Sequence, residues 1–147
     1  MGRWLAIDHG RKRMGVAVGD SQHGIASPLE GLAATDPDTV GRIAQLAEEY
    51  QAAGVVVGWP LKADGTEGAQ AKLARAFAAE LGERTGLDVR LWDETLSSFE
   101  ADQRLSGQLT RAKKKRRHDA VAAAAFLEDF LRSGGQRSAP RPGEVRE

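Results

Sequence analysis

Apolar residues fall along the chain in two rhythms. Residues 4 to 8, opening with Trp4-Leu5-Ala6-Ile7, and residues 14 to 19 are short apolar runs joined by a basic turn through Gly10, a pattern that predicts an antiparallel hairpin. A third strand is predicted around Ile25 to Leu32. Thr35-Asp36-Pro37 reads as a helix start, with Asp36 placed to accept N–H bonds and Pro37 suited to the first helical position. Val40, Ile43, Ala47 and Tyr50 then recur at helical spacing. Gly54-Val55-Val56-Val57 shows no alternation, the mark of a central strand covered on both faces. After a turn-rich loop from Gly58 to Gly68, Leu73, Phe77 and Leu81 mark a second helix whose other sides carry Lys72, Arg75, Glu80 and Arg84. Asp88 to Trp92 predicts another strand, a short helix follows from about Ser97 to Leu105, and a last helix runs from about His118 to Leu131. This order predicts an α/β domain over residues 1–132, a mixed sheet with helices on its faces, and a Ser/Gly/Pro/Arg-rich tail over 133–147 expected to be disordered.

Composition narrows the chemistry. The chain has 147 residues, the size of one domain with a real core. Lys plus Arg and Asp plus Glu are both 21, so any electrostatic message must come from local clusters rather than from net charge. The absence of cysteine excludes disulfide scaffolds, thiolate nucleophiles and Cys-rich zinc sites. No stretch approaches the roughly 20 apolar residues of a membrane span, and the N-terminus lacks a signal-peptide core. Met1-Gly2 does not open a myristoylation motif, which asks for Ser or Thr where Ala6 stands. A cytoplasmic protein with no membrane partner is expected.

Three carboxylates stand where an apolar element would bury them. Asp8 ends the first strand, and Glu94 sits just past the end of a later one. Asp119 shares a helical face with Ala122, Ala123, Phe126 and Phe130, the face that packs on the sheet. An uncompensated carboxylate near a core costs several kcal/mol, so each needs a partner, and one divalent cation would serve all three. Other readings compete for each acid alone: a helix cap or dipole partner for Asp119, an Asx turn for Asp8, a solvated strand end for Glu94. All-oxygen coordination suits Mg2+ or Mn2+, ions that work on phosphates. Ser-His-acid chemistry has little support, since no G-x-S-x-G occurs and His9, His23 and His118 show no orienting pattern. His9 reads as a turn residue.

Basic residues crowd two of the acids. Arg111, Lys113, Lys114, Lys115, Arg116 and Arg117 precede Asp119, and Arg11, Lys12 and Arg13 follow Asp8. From composition alone the 111–117 run also reads as a solvated loop or a targeting patch. An acidic metal centre with a basic rim is what a polyphosphate needs, the rim tracking backbone charge while metal holds one scissile phosphate. Like-charge repulsion makes 111–117 a candidate flexible clamp. Trp59 and Trp92 are more economically read as packing than as base-stacking platforms.

Four segments, Asp8-His-Gly-Arg-Lys-Arg-Met-Gly-Val-Ala17, Val57-Gly-Trp-Pro-Leu-Lys-Ala-Asp-Gly-Thr-Glu-Gly68, Asp93-Glu94 and His118-Asp-Ala-Val-Ala-Ala123, resemble in order and spacing the YqgF (RuvX-like) family of Holliday-junction-resolvase-like proteins. The resemblance covers about residues 3 to 131. It implies an RNase H-like fold with a mixed five-stranded sheet and helices on both faces, and catalytic, metal-holding acids at Asp8, Glu94 and Asp119. It also implies a nuclease that matures the 5′ end of pre-16S ribosomal RNA, or, by the family's older name, a resolvase of four-way DNA. Thr95 stands where the family usually has Arg, Trp59 and Lys62 replace the usual Leu and Asn, and Ala122 occupies the position of a further acid in resolvases proper. Three acids hold a second metal less firmly, which favours RNA over a DNA junction. The expectation is therefore a Mg2+ or Mn2+ dependent RNA nuclease, monomer or homodimer, acting on pre-ribosomal particles. Its rivals are a two-fold symmetric DNA junction endonuclease and a nucleic-acid-binding ribosome factor with feeble catalysis. An actin-like ATPase is set aside because its two lobes need a longer chain.

Overall fold

A computed structural model describes residues 2–10, 12–34, 36–93 and 111–145, with side chains in the last stretch described from Ala120 onward. Five strands form one sheet: β1 (Arg3–His9), β2 (Arg13–Asp20), β3 (Ile25–Ala33), β4 (Ala52–Gly58) and β5 (Asp88–Trp92), in the order β3-β2-β1-β4-β5. The β1–β2 and β2–β3 pairs are antiparallel, and β1–β4 and β4–β5 are parallel. The expected mixed sheet and N-terminal hairpin are thus present. Parallel neighbours need a crossover, and the helices α1 (Thr39–Glu49) and α2 (Ala69–Thr85) supply it on one face. Helix α3 (Arg111–Arg132) covers the other.

Period-two alternation divides the core. Leu5, Ile7, Val55 and Val57 point to the face of α1 and α2, where they meet Ile43, Leu46, Ala78 and Leu81. Trp4, Ala6 and Val56 point to the face of α3 and meet Ala123, Phe126 and Phe130. This is why the Val55–Val57 run carries no polar member: every position is buried on one face or the other. Gly54 is required by the Trp4 ring, since a Cβ there would stand 2.6 Å from both that ring and the Asp88 carbonyl.

Four expectations need correction. α1 begins at Thr39 rather than beside Pro37, because Asp36 uses its carboxylate on the Asp38 N–H (2.8 Å) and its carbonyl on the Thr39 N–H (3.1 Å), closing a turn first. On α2 the buried stripe is Ala71, Ala74, Ala78 and Leu81, while Leu73 is 49% exposed. Small residues let that helix lie close to the sheet. α3 already includes Arg111 rather than beginning at about His118, because Arg, Lys and Ala are strong helix formers.

The fourth correction concerns the tail, which is folded through residue 145 rather than disordered. It forms a short helix α4 (Gly135–Ser138) and a 3-10 turn (Pro142–Glu144). The Leu91 N–H donates to the Pro140 carbonyl at 2.9 Å, Arg90 Nη1 donates to the Ala139 carbonyl at 2.8 Å, and Arg141 Nε reaches Asp88 at 3.2 Å. An edge strand offers unpaired backbone groups, and the tail satisfies part of that edge on β5. The short helix predicted at Ser97 to Leu105 lies outside the described residues.

Candidate active site

The parallel strands β1, β4 and β5 all end at one edge of the sheet, at His9, Gly58 and Trp92. Asp8 is the penultimate residue of β1. By alternation it lies on the α3 face with Trp4 and Ala6, half-buried, opposite Gly15 of β2. Parallel rungs to β4 stop one residue earlier, at Ile7–Val57. The Asx-turn reading of Asp8 therefore gives way to a strand residue at a carboxyl edge, where α/β sheets gather their ligands.

The chain then turns tightly, the Gly10 N–H donating to the Arg13 carbonyl at 2.9 Å. A Cβ on Gly10 would lie 2.6 Å from that oxygen, so glycine is needed there. Lys12 and Arg13 follow the turn at the edge of the sheet where β1 ends. Lys12 is exposed, and Arg13 is half-buried with Nη1 enclosed and without a hydrogen bond among the described residues. Arg11 lies outside the described residues.

His9 is not a turn residue. It ends β1, its ring packs on Phe77 with centroids 5.0 Å apart, and its carbonyl accepts a 2.8 Å bond from Gln70 Nε2. Burial lowers its pKa, which keeps the imidazole neutral at ordinary pH.

Helix α3 sets the third acid. A Cβ at Gly19 of β2 would meet Leu127 at 3.0 Å, and Arg132 Nε donates to the Gly24 carbonyl at 3.0 Å, which pins the C-terminal half of α3 over the end of β2 remote from Asp8. Ala123 and Ala17 belong to the same packed cluster, so the helix continues back along the strand. From Leu127 back to Asp119 the helix advances about 12 Å, and from Gly19 back to Gly15 the strand advances about 13 Å. An α3 axis parallel to β2 would carry residue 119 toward the Asp8–Gly15 end of that strand. Asp119 stands about two turns inside α3, which removes the reading of it as a first-turn cap. The backbone of the basic run, with Arg111, Lys113, Lys114, Lys115, Arg116 and Arg117, is helical rather than a loop.

Glu94 lies outside the described residues, two positions beyond the end of β5, where Trp92 pairs with Gly58. Among the described residues no three acidic or His side chains cluster to hold a metal, and that set excludes Glu94 and the Asp119 carboxylate. The three acids offer only oxygen donors, the set that suits Mg2+ or Mn2+.

Both tryptophans serve packing. Trp92 Nε1 donates to Asp129 at 3.0 Å, and its ring meets Phe130 edge-on at 5.5 Å. The Trp59 N–H donates to the Trp92 carbonyl at 2.7 Å and its Nε1 donates to Glu67 at 2.8 Å. Arg75 grips the same carboxylate through Nε at 2.9 Å and Nη2 at 3.0 Å. Hydrogen bonds from Arg75, helped by Trp59, hold the Glu67 carboxyl below the usual carboxylate range. This knot ties the 59–68 loop to α2, and neither it nor the Gln70–His9 link had a local sequence signal.

Glu67→Gln should reduce stability near neutral pH by about 1–2 kcal/mol. A depressed carboxyl pKa contributes stability that is full above the unfolded value and is lost as pH falls through the folded one. The gap between wild type and Glu67→Gln, measured by urea unfolding, should therefore close as the solution is acidified below the ordinary Glu range. A pH-independent gap would contradict this assignment.

The family model described as "RuvX: Holliday junction resolvase" matches residues 2–133. A protein of Anaeromyxobacter sp. (strain Fw109-5) named "Putative pre-16S rRNA nuclease" is 44% identical over 131 residues, covering 88% of this chain and 96% of that one. One of the same name from Rhodopirellula baltica is 42% identical over 132 residues, covering 88% and 76%. Among solved structures, T. thermophilus RuvC in complex with Holliday junction substrate aligns with a TM-score of 0.53 at 17% identity, over 95% of this chain and 98% of that one. That likeness shows the fold, RNase H-like as the resemblance implied.

Proposed function

Because this chain belongs to the RuvX family, we propose that it is a divalent-metal-dependent nuclease that hydrolyses phosphodiester bonds of RNA, with the 5′ region of pre-16S ribosomal RNA as its substrate. The observation that supports the reading is Asp8, a half-buried carboxylate at the carboxyl end of a central strand, on the sheet face that α3 covers.

Asp8, Glu94 and Asp119 would hold Mg2+ or Mn2+. When bound, such an ion activates a water nucleophile and stabilises the leaving oxygen of an in-line displacement. The chain's own contribution is placement. A strand end is a rigid mount, so the Asp8 carboxylate is set before substrate arrives, and Asp119 would be carried by a helix packed on the sheet. The tight Gly10 turn brings Lys12 and Arg13 to the same edge, and Arg11 is proposed to join them. With Arg111, Lys113, Lys114, Lys115, Arg116 and Arg117 they would neutralise backbone phosphates on either side of the scissile bond and hold it in register, without reading base identity. His9, neutral through burial, leaves the acids as the charged groups of the strand end.

The proposed setting is the cytoplasm, on pre-ribosomal particles; among the described residues no helix is long and apolar enough to cross a membrane. A second reading, cleavage of four-way DNA, is favoured by the family's description and would require a two-fold dimer to make paired cuts.

Cleavage of a pre-16S transcript by the purified protein is expected to stop on chelation and to return when Mn2+ is added. Cleavage indifferent to chelator would remove the metal from the account.

A further inference from the structure

We infer that Gln70 is a positioning residue for Asp8, holding the open end of β1 from α2 and so setting how tightly the acidic site takes its metal; the inference rests on the reading of Asp8 as a metal-holding carboxylate. The last two residues of β1 have strand rungs to β2 only. Asp8 and His9 pair with Gly15 and Met14 of β2, but β4 gives no rung beyond Val57, because its chain leaves at Gly58 and the Trp59 N–H turns to the Trp92 carbonyl. Backbone carbonyls two residues apart share a side of a strand, so the His9 carbonyl follows that of Ile7 on the flank that β4 has abandoned. Gln70 occupies that flank. Its Nε2 donates to the His9 carbonyl at 2.8 Å and lies 3.4 Å from His9 Nδ1, so one carboxamide touches both backbone and ring.

Phe77, two turns further along the same face of α2, packs on the same imidazole. Helix α2 therefore grips the residue next to Asp8 at two points, replacing the missing strand. The carbonyl that Gln70 holds belongs to the His9–Gly10 peptide, so this bond and the packing of Phe77 on the ring together fix the torsions of His9, through which the Asp8–His9 peptide is oriented. Mg2+ demands near-ideal octahedral geometry, and groups that orient a ligand without touching the metal are worth about 10–100-fold in affinity.

The test uses the full-length chain, Mn2+ alone and calorimetry, comparing wild type, Gln70→Met, Asp8→Asn and the double variant. Met keeps the length of Gln and removes the donor. Gln70→Met is expected to raise the Mn2+ Kd about tenfold with Tm nearly unchanged, and to speed hydrogen exchange at the Gly10 amide. The double variant should bind no more weakly than Asp8→Asn, since Gln70 acts through Asp8. Excess Mn2+ should restore cleavage in Gln70→Met and fail to do so in Asp8→Asn. If Asp8→Asn weakens Mn2+ binding and Gln70→Met does not, the inference is overturned while the acidic site stands. If neither does, Asp8 leaves the metal and the inference falls with it. Losses that multiply in the double variant would also overturn it, because Gln70 would then act independently.

Discussion

Asp8→Asn is expected to lower cleavage by about a thousandfold or more while leaving the protein folded. The side chains are nearly isosteric, and Asp8 stands at the strand's end rather than in either packed cluster, so the sheet loses no apolar contact. What disappears is a charge from a site that needs several to hold a doubly charged ion. In the proposed acidic site, removing one of several carboxylate charges should leave Tm without metal unchanged or slightly raised, as happens where residues are kept for function. Asp119→Asn should behave alike, and the double variant should lose little beyond either single one, because both act through one ion. Circular dichroism, thermal melting and single-turnover cleavage read these outcomes. Substantial activity in Asp8→Asn would remove that residue from the site.

Phe126→Ala is the substitution expected to cost most in stability. Its ring is fully buried among Trp4, Ala6, Ala17 and Val56, in the layer that seats α3 on the sheet. Truncating a buried Phe costs about 3–5 kcal/mol, the transfer of the ring plus the cavity left behind. At this chain length that corresponds to a fall in Tm of roughly 10 °C. The denaturation midpoint should move with little change in slope if the fold itself is retained. Phe126 also lies two turns from Asp119 on one helical stripe, so the loosened layer should weaken metal-dependent cleavage at temperatures where the variant is folded. A loss under about 1 kcal/mol would mean that α3 is not held by this layer.

The layered architecture was legible because strand positions with no polar member have one physical explanation, burial on both faces, and Val55–Val57 meet it. Asp8 was legible for the complementary reason: an apolar run that ends on a carboxylate ends at an edge. The helical backbone of 111–117 was not, because six cations close together suggest mutual repulsion, whereas Arg, Lys and Ala are also strong helix formers. Leu73 misled because apolar spacing marks a helix without saying which face has room, and the sheet took the alanine stripe. The tail's polar composition hid its backbone, which pairs with the edge of β5. Gln70 and His9 are 61 residues apart, and a link of that kind leaves no local trace. The second acid, Glu94, lies outside the described residues, so its place beside Asp8 rests on the family and on the end of β5.

The most direct test of an RNA-cleaving metal centre is a side-by-side cleavage assay at one salt concentration, with Mg2+ or Mn2+, offering a pre-16S transcript and a four-way DNA junction, with Asp8→Asn as the blank. The account predicts metal-dependent cutting of the transcript, little cutting of the junction, and neither in the blank. Symmetric paired nicks in the junction with the transcript untouched, or transcript cleavage that persists in Asp8→Asn, would contradict it.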